Sequence, residues 1–292
     1  MLEPLRHLVL VAQHGTFTAA ARHAHVTQPA LTASIQRLEA QMGGRLFDRG
    51  PGGATLTAAG SALLPRARAA LAAVEDGRRA VAEVMGLTVG AVRLGAGATV
   101  CTYYLPRTLA KFRTRHPGVQ ILLREASQDH LLDALEAGDL DLVILARVAR
   151  RGAGNEDFLR AARSGLVREK WVDDEIVLVG APGVDPKTAP LVTFARGATT
   201  RTLVDQHFPD VPIAMELGSI AAVKGNTRAG VGVALVSRRA VERDVASGQL
   251  VELASDRTPI TRPLYLVHRG KDRLPPAAAE LHRLLKDVSK KK

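Results

Sequence analysis

Residues 15–32 have the sequence GTFTAAARHAHVTQPALT, a pattern typical of two short helices joined by a tight turn. The first of these helices is predicted to open at Phe17, and Val26 supplies an apolar plug inside the turn that follows it. Thr27 is predicted to cap the second helix, with Pro29 in its first turn, where the missing N–H costs nothing. This arrangement predicts a helix-turn-helix, whose second helix enters the major groove of DNA.

The next segment predicts a β-hairpin followed by a long helix. Two short apolar stretches flank Gly50–Gly53, as in a small wing. Thr57 is predicted to cap an alanine-rich helix that runs to about Val84, and Pro65 to kink that helix or displace its start. Apolar residues recur along it in steps of three and four, which favours a coiled-coil seam; packing against its own domain is the alternative. The predicted dimerisation residues are Leu64, Leu71, Val74 and Val81.

From Gly90 onward, short apolar strands alternate with helical patterns. Strands are predicted at 92–95, 119–124, 140–145, 176–179, 191–194, 213–216, 233–236 and 264–267, and helices at 105–116, 128–137, 200–208, 220–229, 239–247 and 276–288. Such alternation predicts parallel sheets covered by helices. The expected fold class is α+β and multidomain, with a winged helix-turn-helix domain over 1–57, a linker helix over 58–88 and an α/β domain over 89–292.

Composition narrows the class of protein. Hydrophobic residues make up 46% and charged residues 24% of the chain, which excludes a disordered protein. No stretch reaches the ~18 apolar residues that a membrane span needs, and Met1–Leu10 lacks the pattern of a signal peptide. The single Cys101 excludes an intramolecular disulfide. We therefore expect a cytoplasmic protein without membrane contact.

The charge balance favours a nucleic-acid partner. The 292 residues carry 40 Lys and Arg against 29 Asp and Glu, for a net charge of +11. The first 90 residues contribute only +3 of this charge, from nine arginines against six acidic residues. Most of the excess belongs to the second part of the chain, so the motif supports DNA binding more strongly than the basicity does.

Motifs for catalysis, metal binding and cofactor binding are missing from the sequence. It has no zinc-ligand spacing, Walker loop or Gly-x-Ser-x-Gly elbow, and its nine histidines are scattered. Gly95-Ala96-Gly97 lacks the third glycine and the ribose-binding acid of a dinucleotide loop. We expect neither an enzyme nor a cofactor or metal site.

An ordered set of motifs over residues 9–60 resembles the N-terminal domain of LysR-type transcriptional regulators. The residues that carry the resemblance are Gly15–Ala21, Val26–Thr32, Ile35–Glu39, Leu46–Arg49 and Leu56–Gly60. Later stretches are similar to the effector domain of the same family, namely Asp174–Val179, Glu216–Ser219 and Ala229–Leu235. The resemblance covers the whole length of the chain.

The resemblance implies an architecture and a mode of action. It implies a winged-helix domain, a dimerising linker helix and a two-lobed effector domain like type II periplasmic binding proteins. Lobe I would comprise residues 89–163 and 267–292, and lobe II residues 164–266. The implied partners are double-stranded promoter DNA, a small-molecule effector between the lobes, RNA polymerase and further copies of the chain, as a dimer of dimers.

Groove chemistry assigns roles at the start of the second helix of the motif. Gln28 can read adenine N6 and N7 or donate to a phosphate, and Thr32 can contact a thymine methyl group or a phosphate. Pro29 and Ala30 allow close approach. Ala33 departs from the family pattern, which often has Arg or Gln there, and the wing tip lacks a basic residue. Phosphate contacts are predicted for Thr18, Thr27, Arg37 and Arg49.

The effector is expected at helix N-termini and strand ends between the lobes. Hydroxyls, helix N-termini and arginines, with Lys224 nearby, favour a small carboxylate or inorganic anion; a neutral ligand is the alternative if the arginines lie on the surface. Cys101 is either a small lining residue or a redox sensor without a resolving partner. The predicted effector-binding residues are Thr99, Val100, Cys101, Thr102, Arg196, Gly197, Thr199, Thr200 and Arg201, to which the resemblance to LysR-type regulators adds Ser127, Gln128, Arg147, Ser219 and Ile220.

Two other functions stay open. Residues 91–292 alone would fit a solute-binding protein without DNA regulation, which a mobility-shift assay with promoter DNA discriminates. A constitutive DNA-binding repressor with a vestigial cleft would carry the same N-terminal motif, and calorimetry with carboxylates, amino acids and inorganic anions discriminates it. The effector, the target genes and the sign of regulation stay open as well.

Overall fold

A computed structural model describes residues 1–50, 52–84, 90–148, 161 and 164–289. The chain forms two compact units, one of residues 1–88 with 133–140 and the other of residues 89–132 with 141–292. Each unit has a hydrophobic core of its own. None of the described helices is both long enough and apolar enough to cross a membrane.

The first unit contains the predicted helix-turn-helix and wing. Its elements are α1 (Leu2–His14), α2 (Phe17–His23), α3 (Gln28–Met42), β1 (Phe47–Gly50), β2 (Gly53–Leu56) and α4 (Ala58–Val84). Gly15 ends α1 in the left-handed conformation, with φ 69°, so that α2 follows at once. The hydroxyls of Thr16 and Thr27 cap α2 and α3 by accepting hydrogen bonds from N–H groups of the first turn. The start of α4 is not displaced, because the helix continues through Pro65.

The wing is held against the core of the first unit. The inner face of α3 is fully buried at Leu31, Ile35 and Leu38. Glu39, also on α3, accepts hydrogen bonds from the backbone N–H groups of Leu46, at 2.8 Å, and Phe47, at 3.4 Å. The Phe47 ring meets the ring of Phe17 edge to face, with 5.8 Å between their centroids. These contacts connect the wing to both helices of the motif.

Replacing Gly60 by alanine is expected to lower the free energy of unfolding by about 1–3 kcal/mol. A Cβ at this position would lie 2.1 Å from the carbonyl oxygen of Leu46, a backbone atom that cannot swing away. The matched control is Gly77→Ala on the same helix, where the added Cβ meets no atom of the described residues within 4 Å and alanine favours the helix. Equal melting temperatures for the two variants would contradict the close approach of α4 to Leu46.

The described part of the second unit contains nine strands, which form two sheets, and six α-helices. In chain order they begin with β3 (Ala91–Ala96), α5 (Pro106–Arg115), β4 (Gln120–Glu125), α6 (Gln128–Ala137, shared with the first unit), β5 (Leu142–Ala146), β6 (Val167–Gly180), β7 (Leu191–Phe194), α7 (Thr199–His207), β8 (Ile213–Leu217), α8 (Ile220–Arg228) and β9 (Ala234–Ser237). They are followed by α9 (Arg238–Ala246), β10 (Val251–Glu252), β11 (Ile260–His268) and α10 (Pro276–Ser289), and a π-helical turn (Val100–Tyr104) precedes α5.

The larger sheet is mixed rather than purely parallel, which corrects the prediction of parallel sheets. The larger sheet has the strand order β10-β6-β11-β5-β3-β4, with β9 also paired to β6. In it β3 is parallel to β4 and β5, whereas β6, β9, β10 and β11 pair antiparallel. The smaller sheet is the parallel pair β7-β8, and a single bridge joins Leu191 of β7 to Val233, the residue that precedes β9.

Two long strands, β6 and β11, pair with each other and with the strands β5, β9 and β10 of the larger sheet. β11 pairs with β6 along the whole of β11, and one end of β11 also pairs with β5. β6 pairs in addition with β9, over Ile176–Val179. The sequence predicts only a short part of each, because charged residues such as Glu169 and Asp173 interrupt the apolar pattern. β11 crosses the predicted boundary between the lobes, whereas β6 lies within predicted lobe II, and the limits of both lobes stay a prediction.

Candidate DNA-binding surface and ligand cleft

The exposed start of α3 brings together the main predicted DNA contacts. Thr27, Gln28, Pro29 and Ala30 follow one another there, and all four are exposed. The Thr27 hydroxyl accepts a hydrogen bond from the N–H of Ala30 at 3.4 Å, which fixes the first turn of the helix. Because the neighbours of Gln28 are small, its side chain can reach a base edge without obstruction.

The remaining predicted DNA contacts differ in accessibility. Thr18 and Arg37 are exposed. Thr32 is half-buried, and its Oγ1 is shielded from solvent with no hydrogen-bond partner in the described part of the chain. The side chain of Arg49 lies outside what the structure describes. Thr32 is therefore the least accessible of the contacts that can be placed.

A buried polar pair lies beneath this surface, and the sequence had not indicated it. His7 Nδ1 of α1 lies 2.8 Å from the hydroxyl of Ser34 on the inner side of α3. Burial lowers the pKa of His7, which keeps the ring neutral. The pair connects residues 27 positions apart, so neither local spacing nor residue type reveals it.

The four predicted dimerisation residues on α4 have different surroundings. Leu64 and Leu71 are half-buried and pack against the core of the first unit. Val74 is half-buried, whereas Val81 is 63% exposed. Leu64 and Leu71 therefore fit the alternative in which α4 packs against its own domain, whereas Val81 leaves an exposed apolar surface.

The second unit contains a cleft of about 600 Å³ at the ends of several strands and helices. Nine of the fourteen predicted effector-binding residues line it: Thr99, Val100, Ser127, Gln128, Arg196, Gly197, Thr199, Thr200 and Ile220. The cleft is further lined by the apolar side chains of Ile144, Phe194 and Leu264, by the acidic side chains of Glu125 and Asp129, and by Arg262. Such a volume is typical of small-molecule sites.

Five predicted residues lie outside the lining, and for Arg201 and Ser219 their contacts give the reason. Arg201 is buried and anchors α7, with Nε donating to Asp205 at 2.7 Å and Nη1 paired with Glu216 at 2.5 Å. Ser219 caps α8. Lys224, which was expected nearby, donates to Ala240 and Asp244 instead. The five residues outside the lining are Cys101, Thr102, Arg147, Arg201 and Ser219.

Cys101 has the surroundings of a small packing residue. Its thiol donates to the carbonyl oxygen of Ala96 at 3.4 Å. Burial, with a smaller contribution from Glu125, raises the pKa of Cys101 to about 11. Because the thiolate is the reactive form, a thiol that stays protonated at neutral pH does not favour the redox alternative.

A buried ion pair lies under the cleft, and no local sequence pattern indicates it. Arg262 of β11 and Asp174 of β6 pair through Nη2 and Oδ2 at 2.5 Å, with side-chain exposures of 3% and 0%. Nη1 of Arg262 donates to the hydroxyls of Thr199 and Thr200, at 3.1 Å each. On the other side, Asp174 Oδ1 accepts from the hydroxyl of Tyr104, and this contact together with burial raises the pKa of Tyr104. The network connects β6, β11 and α7.

A second buried cluster joins β6, β11 and α10. Among the described residues, Glu169, His268 and His282 form one group that could hold a metal ion. Most of their polar atoms already have other partners, because Lys271 and Lys286 lie 3.1 and 3.3 Å from the Glu169 carboxylate and the N–H of Gly270 donates to His268 Nδ1. Within the described part of the chain, His268 Nε2 has no hydrogen-bond partner and lies 4.0 Å from Glu169. This pattern is typical of a structural ion-pair cluster.

The second unit is expected to lose stability as the pH falls below about 6.5. Burial lowers the pKa of His268 and of His282 below 6.5, so the stabilisation tied to their neutral forms is complete above that pH and is lost as the pH falls through the lowered values. Burial alone would raise the pKa of Glu169, but Lys271, His282 and Lys286 outweigh it and lower the value to about 2. The stabilisation that ionised Glu169 contributes is present above pH 4.5 and is lost as the pH falls from 4.5 to about 2.

Urea unfolding followed by the fluorescence of Trp171, the single tryptophan, checks this dependence within the second unit. We expect a smaller free energy of unfolding at about pH 5 than at about pH 8, and a smaller difference for His282→Gln. An unchanged difference in that variant would contradict the role of the histidines.

Comparisons with known proteins agree with this organisation. Residues 2–61 match the family model for the bacterial regulatory helix-turn-helix protein, lysR family, and residues 85–290 match the LysR substrate binding domain. The chain is 32% identical over 294 residues to the HTH-type transcriptional regulator CbbR of Rhodospirillum rubrum, covering 96% of this chain and 94% of that protein. It is 31% identical over 284 residues to CfxR of Cupriavidus necator, covering 95% and 88%.

A solved structure shows the same fold. Vibrio fischeri DarR, crystallised in complex with DNA, matches with a TM-score of 0.59 and 19% identity over 98% of both chains. The match at residues 2–61 supplies the DNA-binding domain that a solute-binding protein would lack. The family and the relatives are transcriptional regulators rather than enzymes. The chain therefore belongs to the LysR family of DNA-binding transcriptional regulators.

Proposed function

We propose that this regulator binds promoter DNA through the exposed start of α3, and that a small anion in the cleft switches its activity. The observation that supports an anionic ligand is the pair of hydroxyls of Thr199 and Thr200 on the cleft wall, which accept hydrogen bonds from the buried guanidinium of Arg262. Hydroxyl donors suit the oxygens of a carboxylate or an inorganic anion. RNA polymerase is a further partner in this proposal.

The electrostatics of the cleft support an anion. α7 begins at Thr199 without a side-chain cap, so its first N–H groups have no partner within the helix. A helix N-terminus of this kind favours negative charge, and the exposed Arg196 lines the same cleft. Glu125 and Asp129 also line the cleft, and their carboxylates can accept hydrogen bonds from hydroxyl or amino groups of the same ligand.

Calorimetry on the full-length protein tests whether a small anion binds in the cleft. The probes are sulfate, phosphate, acetate, succinate and single amino acids, each at constant ionic strength. We expect saturable binding of at least one probe, weakened in Arg196→Gln and unchanged in Arg243→Gln, an exposed arginine of α9 outside the cleft. Silence with every probe would favour the repressor with a vestigial cleft.

We further propose that copies of the chain assemble as a dimer of dimers. β4 is an outer strand of the larger sheet and exposes Leu122 and Leu123, and β8 exposes Ile213. Outer strands with exposed apolar residues pair readily with other chains. Val81 adds an exposed apolar side chain on α4.

Replacing Leu122 by glutamate is expected to lower the molar mass in solution. The charge would stand on an edge strand where the proposal places a second copy, and burying it unpaired is costly. Light scattering after size-exclusion chromatography measures the mass. The matched control is Val231→Glu, an exposed apolar residue outside both edge strands. A mass that is unchanged in Leu122→Glu would contradict β4 as part of an interface.

A further inference from the structure

The wall of the cleft carries two hydroxyl protons that have no acceptor among the described residues. Nη1 of Arg262 donates one hydrogen bond to Thr199 Oγ1 and one to Thr200 Oγ1. A guanidinium has donors and no acceptors, so both threonine oxygens must accept, wherever their protons lie. Across the described residues, neither hydroxyl donates a hydrogen bond to a protein group, although Thr200 is only 6% exposed.

Asp174 holds Arg262 in one orientation. Nε and Nη2 of Arg262 donate to Asp174 Oδ2, at 3.2 and 2.5 Å. Asp174 Oδ1 accepts hydrogen bonds from the hydroxyls of Tyr104, at 2.7 Å, and Ser237, at 2.6 Å. Because the two buried charges offset each other, the guanidinium adds little net attraction for an anion in the cleft. Its effect on a ligand is therefore the orientation of the two hydroxyls.

We propose that Arg262 is a positioning residue that makes Thr199 and Thr200 hydrogen-bond donors toward the cleft, and so selects ligand groups that only accept. The inference rests on the proposed function, because it takes an anion as the occupant. A carboxylate or sulfate oxygen satisfies both hydroxyl protons. An amide of the same shape has an NH₂ group in place of one oxygen, and this group donates rather than accepts. A hydroxyl that faces the NH₂ group therefore stays without an acceptor, and buried polar sites discriminate strongly against ligands that leave a group unpaired.

Matched pairs of acids and amides measure this selectivity in the full-length protein. The probes are acetate with acetamide and succinate with succinamide, and the measured quantity is the ratio of acid affinity to amide affinity. Thr199→Val and Thr200→Val replace each hydroxyl by a methyl group of similar size. We expect each to lower the ratio about tenfold or more, as for a lost hydrogen bond to a charged group.

Two variants separate this role from a structural one. Thr200→Ser keeps the hydroxyl and should preserve the ratio. Thr202→Val lies on the same helix but outside the cleft lining and should also leave the ratio unchanged.

The outcomes distinguish the inference from the function on which it rests. Acid binding with the same ratio in wild type, Thr199→Val and Thr200→Val would overturn the inference and leave the anion-responsive regulator intact. Amide affinity equal to acid affinity in the wild type would overturn the inference as well. Failure of the wild type to bind any of the acids would overturn both the inference and the proposed effector.

Discussion

Replacing Arg262 by methionine is expected to lower the free energy of unfolding of the second unit by about 3–5 kcal/mol. The variant leaves the carboxylate of Asp174 fully buried without its countercharge, and only the hydroxyls of Tyr104 and Ser237 remain to satisfy it. It also removes the Nη1 group that donates hydrogen bonds to the hydroxyls of Thr199 and Thr200. Urea unfolding measured by the fluorescence of Trp171 reports this loss, because that residue is buried in the second unit.

The double variant Arg262→Met/Asp174→Asn tests the cause of the loss. If the cost comes from the uncompensated carboxylate, removing the charge of Asp174 should recover part of the stability, so the two single losses should exceed the double loss by about 1 kcal/mol or more. Strictly additive losses would contradict a coupled buried pair and would assign the cost of Arg262→Met to packing alone.

Replacing Gln28 by alanine is expected to reduce specific DNA affinity about tenfold or more, with little change in non-specific affinity. Gln28 is exposed at the start of α3 among small side chains, and a bidentate contact of glutamine with adenine contributes about 1–3 kcal/mol of base discrimination. Fluorescence anisotropy with a promoter fragment recovered by genome-wide footprinting, and with a scrambled fragment of equal length, measures both affinities at constant salt.

The matched control for the Gln28 variant lies on the same helix. Gln41 is also exposed but lies thirteen residues further along α3, about 20 Å from Gln28 along the helix axis. Gln41→Ala should leave the specific affinity unchanged. Equal losses for the two variants, or a parallel loss on the scrambled fragment, would contradict base reading by Gln28.

The N-terminal unit could be predicted in detail because its signals are local. The cap at Thr27 acts within a few residues, and the structure has it as expected. The left-handed Gly15 and the apolar spacing of α3 are local features of the same kind. The seam on α4 was harder to predict, because an apolar repeat does not tell which surface covers it. Leu64 and Leu71 pack against the core of their own unit.

The chemistry under the cleft could not be predicted from local patterns. Arg262 and Asp174 are 88 residues apart and become neighbours only because β11 pairs antiparallel with β6. Both strands carry charged residues that hide their strand character in the sequence. Arg201 shows the converse error, since an arginine at a helix start was expected to face the ligand and instead pairs with Asp205 and Glu216.

DNA binding measured with and without a bound acid tests whether a ligand in the cleft switches this regulator. The experiment titrates the full-length protein onto the footprinted promoter fragment, without and with acetate, succinate, sulfate or phosphate at matched ionic strength. We expect an acid that binds in calorimetry to change the affinity or the footprint of the wild type, and to do so far less for Thr200→Val. DNA binding that is sequence-specific but indifferent to every acid that binds the protein would contradict a regulator switched through this cleft.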